Sequence, residues 1–111
     1  MTMDSLFQEQ IDHLLERHFL VLYWVAHAED RRIRYNLTNC FDDLKLAGIT
    51  RTKQTALATV DALTALRFIE MREEGNRKNL YITQHGAEAL KLLVLRGAFS
   101  PRKSALLEVH S

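Results

Sequence analysis

The sequence predicts a mainly helical α+β fold built as a single domain over residues 1–111, on three observations. Apolar residues recur at helical spacing over most of the chain, and the period drops to two in one long stretch only, from Phe68 to Thr83. The four glycines fall at four predicted element ends, and no long Gly/Ser/Pro linker separates one part from another. With 47% apolar residues, a chain of 111 can bury a core of its own.

The first element runs from Ser5 to His27 as one helix, with Phe7, Ile11, Leu14, Leu15 and His18 on a stripe. Within it, Phe19 to Ala26 is apolar all round, so the helix is covered on more than one side. One cover is the domain core, and a second copy of the chain is the expected other. A buried strand fits these eight residues too, but continuity with the amphipathic part favours helix. Residues 28–36 are polar and basic, and the alternation Arg32-Ile33-Arg34-Tyr35 suits a brief edge strand. Thr38 then caps a short helix from Asn39 to Ala47, with Phe41, Leu44, Cys40 and Ala47 inward and Gly48 as its stop.

After that turn comes the helix Thr50 to Leu66, with Thr50 as its cap. A short helix, a turn of about three residues containing glycine and a longer helix make a helix-turn-helix. At about 100° per residue, Leu57, Val60, Leu63 and Thr64 form a core stripe. The opposite stripe holds Arg51, Gln54, Thr55, Ala58, Thr59 and Ala62, where an ordinary solvated face would carry Glu and Lys in i,i+4 pairs. Hydrogen-bonding side chains in the first turns, followed by small residues, are what insertion into a DNA major groove requires. An Ala/Thr-rich surface helix or a helix–helix contact gives the same pattern.

The hairpin follows: Phe68 to Glu74 alternates, Gly75-Asn76-Arg77-Lys78 breaks the pattern, and Asn79 to Thr83 resumes it. Two cations at its tip are ordinary turn chemistry, or a wing that touches a DNA backbone. Thr83-Gln-His-Gly86 turns into a helix from Ala87 to Arg96, with Leu90, Leu93 and Val94 inward and Gly97 as a stop. Ser100-Pro101 opens a last helix, Arg102 to Val109, carrying Leu106, Leu107 and Val109. These need a cover, either a subunit partner or the same chain folded back. Residues 1–28 and 87–111 are the expected dimerisation elements, through Phe7, Ile11, Leu14, Phe19, Leu22, Leu93, Leu106 and Leu107.

Net charge is only +1, but it is unevenly spread. Residues 1–30 carry −5, residues 31–55 carry +4 and the rest +2, so the positive field lies around the long helix. No apolar run reaches the roughly 20 residues that span a bilayer, and no basic-then-apolar leader opens the chain. A cytoplasmic protein is expected, and the lone Cys40 agrees with a reducing compartment. Enzyme chemistry finds little footing. There is no Gly-rich phosphate loop, and His13, His18, His27, His85 and His110 are scattered without a metal-ligand spacing, so no catalytic residue, metal or cofactor is expected. His13 and His18 read as partly buried helix residues. Cys40 reads as a buried helix cysteine, with a redox sensor as the alternative.

Gly48-Ile-Thr-Arg-Thr-Lys-Gln54, Val60-Asp-Ala-Leu-Thr-Ala-Leu-Arg-Phe-Ile69 and Gly75-Asn-Arg-Lys-Asn-Leu-Tyr-Ile-Thr-Gln-His-Gly86 resemble the matching parts of MarR-type and PadR-type regulators. The resemblance covers roughly residues 10–95. It implies a winged helix-turn-helix in the order helix, short strand, helix, helix, two-stranded wing, C-terminal helix. It further implies a homodimeric transcriptional regulator, a repressor that occupies a double-stranded operator. Thr50, Arg51, Thr52, Lys53, Gln54, Thr55, Ala58 and Thr59 would enter the major groove, and Asn76, Arg77 and Lys78 would touch the backbone. Glu73 and Glu74 stand beside that wing tip as a departure from a plainly basic wing. A winged-helix module that binds another protein instead of DNA is the alternative, and no effector is identified.

Overall fold

The computed structural model describes residues 3–109; His110, one of the five scattered histidines, lies outside the described residues. The elements in order are α1 (Met3–Asp12), α2 (Glu16–Asp30), α3 (Leu37–Leu46), α4 (Lys53–Ala65), β1 (Ile69–Glu74), β2 (Arg77–Ile82), α5 (Gln84–Arg96) and α6 (Ala105–Val109). The fold is α+β and mainly helical, with a two-stranded antiparallel sheet. Helix α2 is the hub: it packs against α3, α4, α5 and β2.

Residues 5–27 form two helices, where the apolar stripe predicted one. After Ile11 the backbone closes two tight turns, with the His13 N–H donating to the Gln10 carbonyl at 3.3 Å and the Leu14 N–H to the Ile11 carbonyl at 3.1 Å. Leu15 is then extended at the N-cap of α2, and its N–H donates to His18 Nδ1 at 2.9 Å. A side chain three residues into the new helix thus satisfies a backbone donor at the break. Ile11 and Leu14 are both buried, so the stripe runs on although the helix does not. His13 lies in this turn and is exposed, whereas His18 is half-buried.

The segment Arg32–Tyr35 is not a strand. The Ile33 N–H turns back to the Ala28 carbonyl at 2.8 Å, and among the described residues its backbone pairing with β2 consists of the Leu80 N–H on the Tyr35 carbonyl and an isolated bridge between Asn36 and Asn79. Asn36 and Asn39 cap α3 reciprocally, side chain to backbone, at 2.9 and 3.0 Å. The cap therefore lies at Asn36, two residues before the expected Thr38, and the helix starts at Leu37 instead of Asn39.

The apolar run of α2 is covered by its own chain. Phe19, Leu20, Val21, Leu22, Trp24 and Val25 are buried, and Trp24 Nε1–H donates to the Arg102 carbonyl at 2.8 Å, so the C-terminal segment lies across it. That segment is fastened by a buried carboxylate on α3. Asp43 Oδ2 accepts from the Tyr35 hydroxyl at 2.7 Å and the Ser104 hydroxyl at 2.5 Å, and Oδ1 accepts the Ala105 N–H at 2.8 Å. Ser104, rather than Ser100-Pro101, opens α6, its hydroxyl accepting the Leu107 N–H at 3.3 Å. Burial raises the Tyr35 hydroxyl well above its ordinary pKa. It also pushes the Cys40 thiol up to about 12, aided by the Asp43 charge. Cys40 is a packed helix side chain without the lowered pKa of a sensor.

The residues expected at a dimer contact pack within the one chain. Ile11, Leu14, Phe19, Leu22, Leu93 and Leu107 are buried within the one chain, and Phe7 and Leu106 pack partly against the same core. The physical reasons are local docking contacts. Helix α1 is tied to α5 by Arg96 on Asp12 at 2.6 Å, Phe7 lies edge-on to Phe68 and against His85, and α6 is tied to Asp43. Val94 was expected inward and is 55% exposed; Leu95 and Val109 stand exposed with it.

The hairpin pairs Ile69 with Ile82 through Glu74 with Arg77, closed by Gly75 and Asn76. Gly75 has φ +66°, a conformation costly for other residues. Thr83 caps α5, which starts at Gln84, so Gly86 lies in its first turn instead of before it. A Cβ there would sit 1.9 Å from the Phe68 carbonyl oxygen, so only glycine lets α5 pack this tightly on the start of the hairpin.

Candidate nucleic-acid interface

Thr52, not Thr50, is the cap of α4: its Oγ1 accepts the Thr55 N–H at 3.3 Å. Thr50 stands one step back, its Oγ1 accepting the Thr52 N–H at 3.1 Å. Thr50, Arg51 and Thr52 therefore precede the helix and form a hydroxyl-pinned lead into it. Arg51, Thr52, Lys53, Gln54 and Ala58 are exposed, and Thr50 and Thr55 are half-buried.

The faces of α4 are rotated from the predicted ones. Ala56, Thr59, Val60 and Leu63 are buried, an i, i+3, i+4, i+7 stripe that leaves Leu57 42% exposed. Thr59, expected to face DNA, is 1% exposed, and its Oγ1 donates to the Thr55 carbonyl at 2.8 Å, which satisfies the hydroxyl within the helix. Leu57, expected in the core, instead lines a shallow depression of about 250 Å³ with Leu37 and Phe41.

Two further depressions lie nearby, one against α4 and one beside the turn that leads into it. One of about 330 Å³ lies between the first turn of α2 and the outer face of α4, from Arg17 and His18 across to Thr55, Ala58 and Ala62. The other, about 590 Å³ and open, runs from Lys45 on α3 to Thr50 and Arg51. None of the three linings contains an aspartate or glutamate. Arg17, Lys45, Arg51 and Lys53 make no ion pair among the described residues. His18 is held below its usual pKa by burial and then by the adjacent Arg17 charge. With Nδ1 accepting from Leu15, its proton sits on Nε2.

At the hairpin, Arg77 and Lys78 are the first residues of β2 rather than loop residues, and both are exposed, as is Asn76. They face Glu74 and Glu73 across the register without forming an ion pair among the described residues. Glu74 is engaged along the strand. Its Oε1 accepts from the Tyr81 hydroxyl and, at 2.8 Å, from Asn79 Nδ2, contacts that hold the carboxyl below its ordinary pKa. Arg72 lies over the Tyr81 ring at 4.4 Å and bridges Glu70 at 2.9 Å.

Of the stripe Arg51, Gln54, Thr55, Ala58, Thr59 and Ala62 expected from the sequence, Arg51, Gln54 and Ala58 are exposed, Thr55 and Ala62 are half-buried and Thr59 is buried. That Arg17 and His18 border the same depression as α4 was not legible, since nothing in the local pattern of α2 shows which helix its first turn will meet. Among the described residues no group of three His, Cys, Asp or Glu could hold a metal ion, and no helix is long and apolar enough to cross a membrane. No protein-family model, curated protein or solved structure matches the chain.

Proposed function

We propose that this chain is a winged helix-turn-helix regulator that binds double-stranded DNA by sequence and acts as an operator-occupying repressor. The observation that carries the reading is the start of α4: a capped helix end whose exposed side chains are Arg51, Thr52, Lys53 and Gln54, bordered by depressions without a single acid. In a molecule with 14 acidic residues and a net charge of +1, that absence is local and electrostatically consequential. Arg51 and Gln54 supply the donor and acceptor geometry that major-groove edges require, and Ala58 leaves room for the groove wall. The hairpin serves as the wing, with Arg77 and Lys78 on phosphates.

Repression as a homodimer belongs to the same proposal, because paired half-sites match a two-fold protein. The surface proposed for it includes Val94 and Leu95 on α5, two adjacent members of the exposed apolar set. Light scattering should return twice the chain mass of 12.9 kDa. Selection of bound duplexes from a random pool tests the whole reading. It should enrich one motif, and the affinity for that motif should fall steeply with salt. A flat pool, with salt-independent binding, removes DNA from the function.

One observation favours the second reading, a module that binds another protein. The depression lined by Leu37, Phe41, Ala56 and Leu57, with Thr38, Lys53 and Gln54 on its rim, is mostly apolar and lies directly beside the start of α4. If that surface grips a helix, Leu57→Ala should abolish partner binding while duplex DNA leaves the protein untouched.

A further inference from the structure

We propose that Arg17, at the first turn of α2, is a third DNA-backbone contact, gripping a phosphate that flanks the groove occupied by α4. The inference rests on the DNA-binding reading of α4 and extends it to a helix outside the helix-turn-helix and the wing. Arg17 lines the opposite wall of the depression whose other wall is Thr55, Ala58 and Ala62. A backbone that approaches α4 over those two alanines enters a depression that Arg17 lines from the other side.

Three further features suit that contact. The acid beside it, Glu16, is drawn toward Arg102, whose Nη2 lies 4.0 Å from it, and no acid lines the depression. Arg17 itself has no ion pair among the described residues, so its fork of donors is open to a phosphate oxygen. His18 fixes the turn on which Arg17 stands, by accepting the Leu15 N–H at 2.9 Å, and its Nε2–H is a neutral donor on the same wall. Arg17 is half-buried, as a side chain on the wall of that depression is expected to be.

The test is fluorescence anisotropy of the full chain on its selected duplex and on a random duplex, across a salt series. Arg17→Ala should weaken both about tenfold, and lower the log–log salt slope by roughly 1. Arg17→Lys should keep the slope, and Lys103→Ala, in the separate cleft beside Trp24, should leave affinity and slope alone. If Arg17→Ala disturbs folding by circular dichroism, Arg17→Gln keeps part of the aliphatic stem and should give the same loss. Wild-type affinity and slope in these variants, with Arg77→Ala still lowering the slope, overturn the Arg17 assignment and leave α4 as reader. A loss confined to the selected duplex overturns it as well, since a phosphate contact carries no sequence. Absence of any duplex binding by the unaltered chain removes both proposals together.

Discussion

Two places in the molecule present a pair of cations at a turn of the chain, the start of α4 and the tip of the hairpin, and they differ in what faces the charge. At α4, Arg51 and Lys53 are bordered by hydroxyls, Gln54 and small side chains, with no acid in the adjoining depressions. At the hairpin, Arg77 and Lys78 each stand opposite a glutamate in the register. Equal cation counts therefore give unequal fields, and the field at the hairpin is set by how its glutamates are occupied. Glu74 is engaged by Tyr81 and Asn79, whereas the Glu73 carboxylate has no side-chain hydrogen bond or ion pair among the described residues. On the proposed function, α4 supplies reading and most of the affinity, and the hairpin supplies a weaker, adjustable grip.

The largest expected effect breaks the comparison at its stronger end. Ala58→Glu places a carboxylate on the exposed wall of α4 and should abolish duplex binding, with stability changed by less than about 0.5 kcal/mol. Thr59→Glu, one residue on, buries an unpaired charge at a position 1% exposed and should unfold the protein. Thermal melts and binding isotherms of the pair decide the matter. If Ala58→Glu melts the domain as Thr59→Glu does, the exposed wall of α4 is a packed surface and the recognition role fails.

Those faces were only partly legible in the sequence. The helical period located α4, but two adjacent stripes were open, and hydropathy chose the one with Leu57. The choice failed because the Thr59 hydroxyl is satisfied by its own helix, which lets a polar residue pack as a small apolar one. The cap was misplaced for a related reason: Thr50 and Thr52 both have capping side chains, and only backbone geometry distinguishes them. The hairpin was legible because alternation and a glycine at the turn act within a few residues. The cover of the C-terminal segment was not, since it depends on Asp43 meeting Ser104 and Ala105, more than sixty residues away. An apolar tail looks the same in sequence whether its cover is a second copy or a buried aspartate's neighbourhood.

The next effects separate reading from gripping. Arg51→Ala or Gln54→Ala should relax preference at individual base pairs, at about 1 to 3 kcal/mol for each lost contact. Arg77→Ala or Lys78→Ala should weaken binding to all duplexes alike and lower the salt slope by roughly 1. Competition between the selected duplex and single-base variants of it, repeated at several salt concentrations, resolves the two patterns. Sequence-blind losses from all four substitutions would make α4 an anchor like the hairpin.

The smallest effects test why the hairpin is the weaker end. Glu73→Gln removes the charge opposite Lys78 and should tighten binding to every duplex by about two- to threefold, the modest size expected of exposed charges. Glu74→Gln should change affinity less and act on the hairpin itself, because this carboxylate accepts from Tyr81 and Asn79. Its pKa is lowered in the folded chain, first by the Tyr81 hydroxyl and then by Asn79, so folding favours the ionised form. That contribution is fully present above the unfolded glutamate value of about 4.3 and is lost as pH falls through the lower folded value. The difference in melting temperature between the unaltered chain and Glu74→Gln should therefore narrow as pH is taken from about 7 to about 3. A constant difference across that range means the Tyr81 and Asn79 contacts do not hold Glu74 ionised. In that case Glu74 is as free as Glu73 to oppose Arg77, and the two substitutions should tighten DNA binding alike.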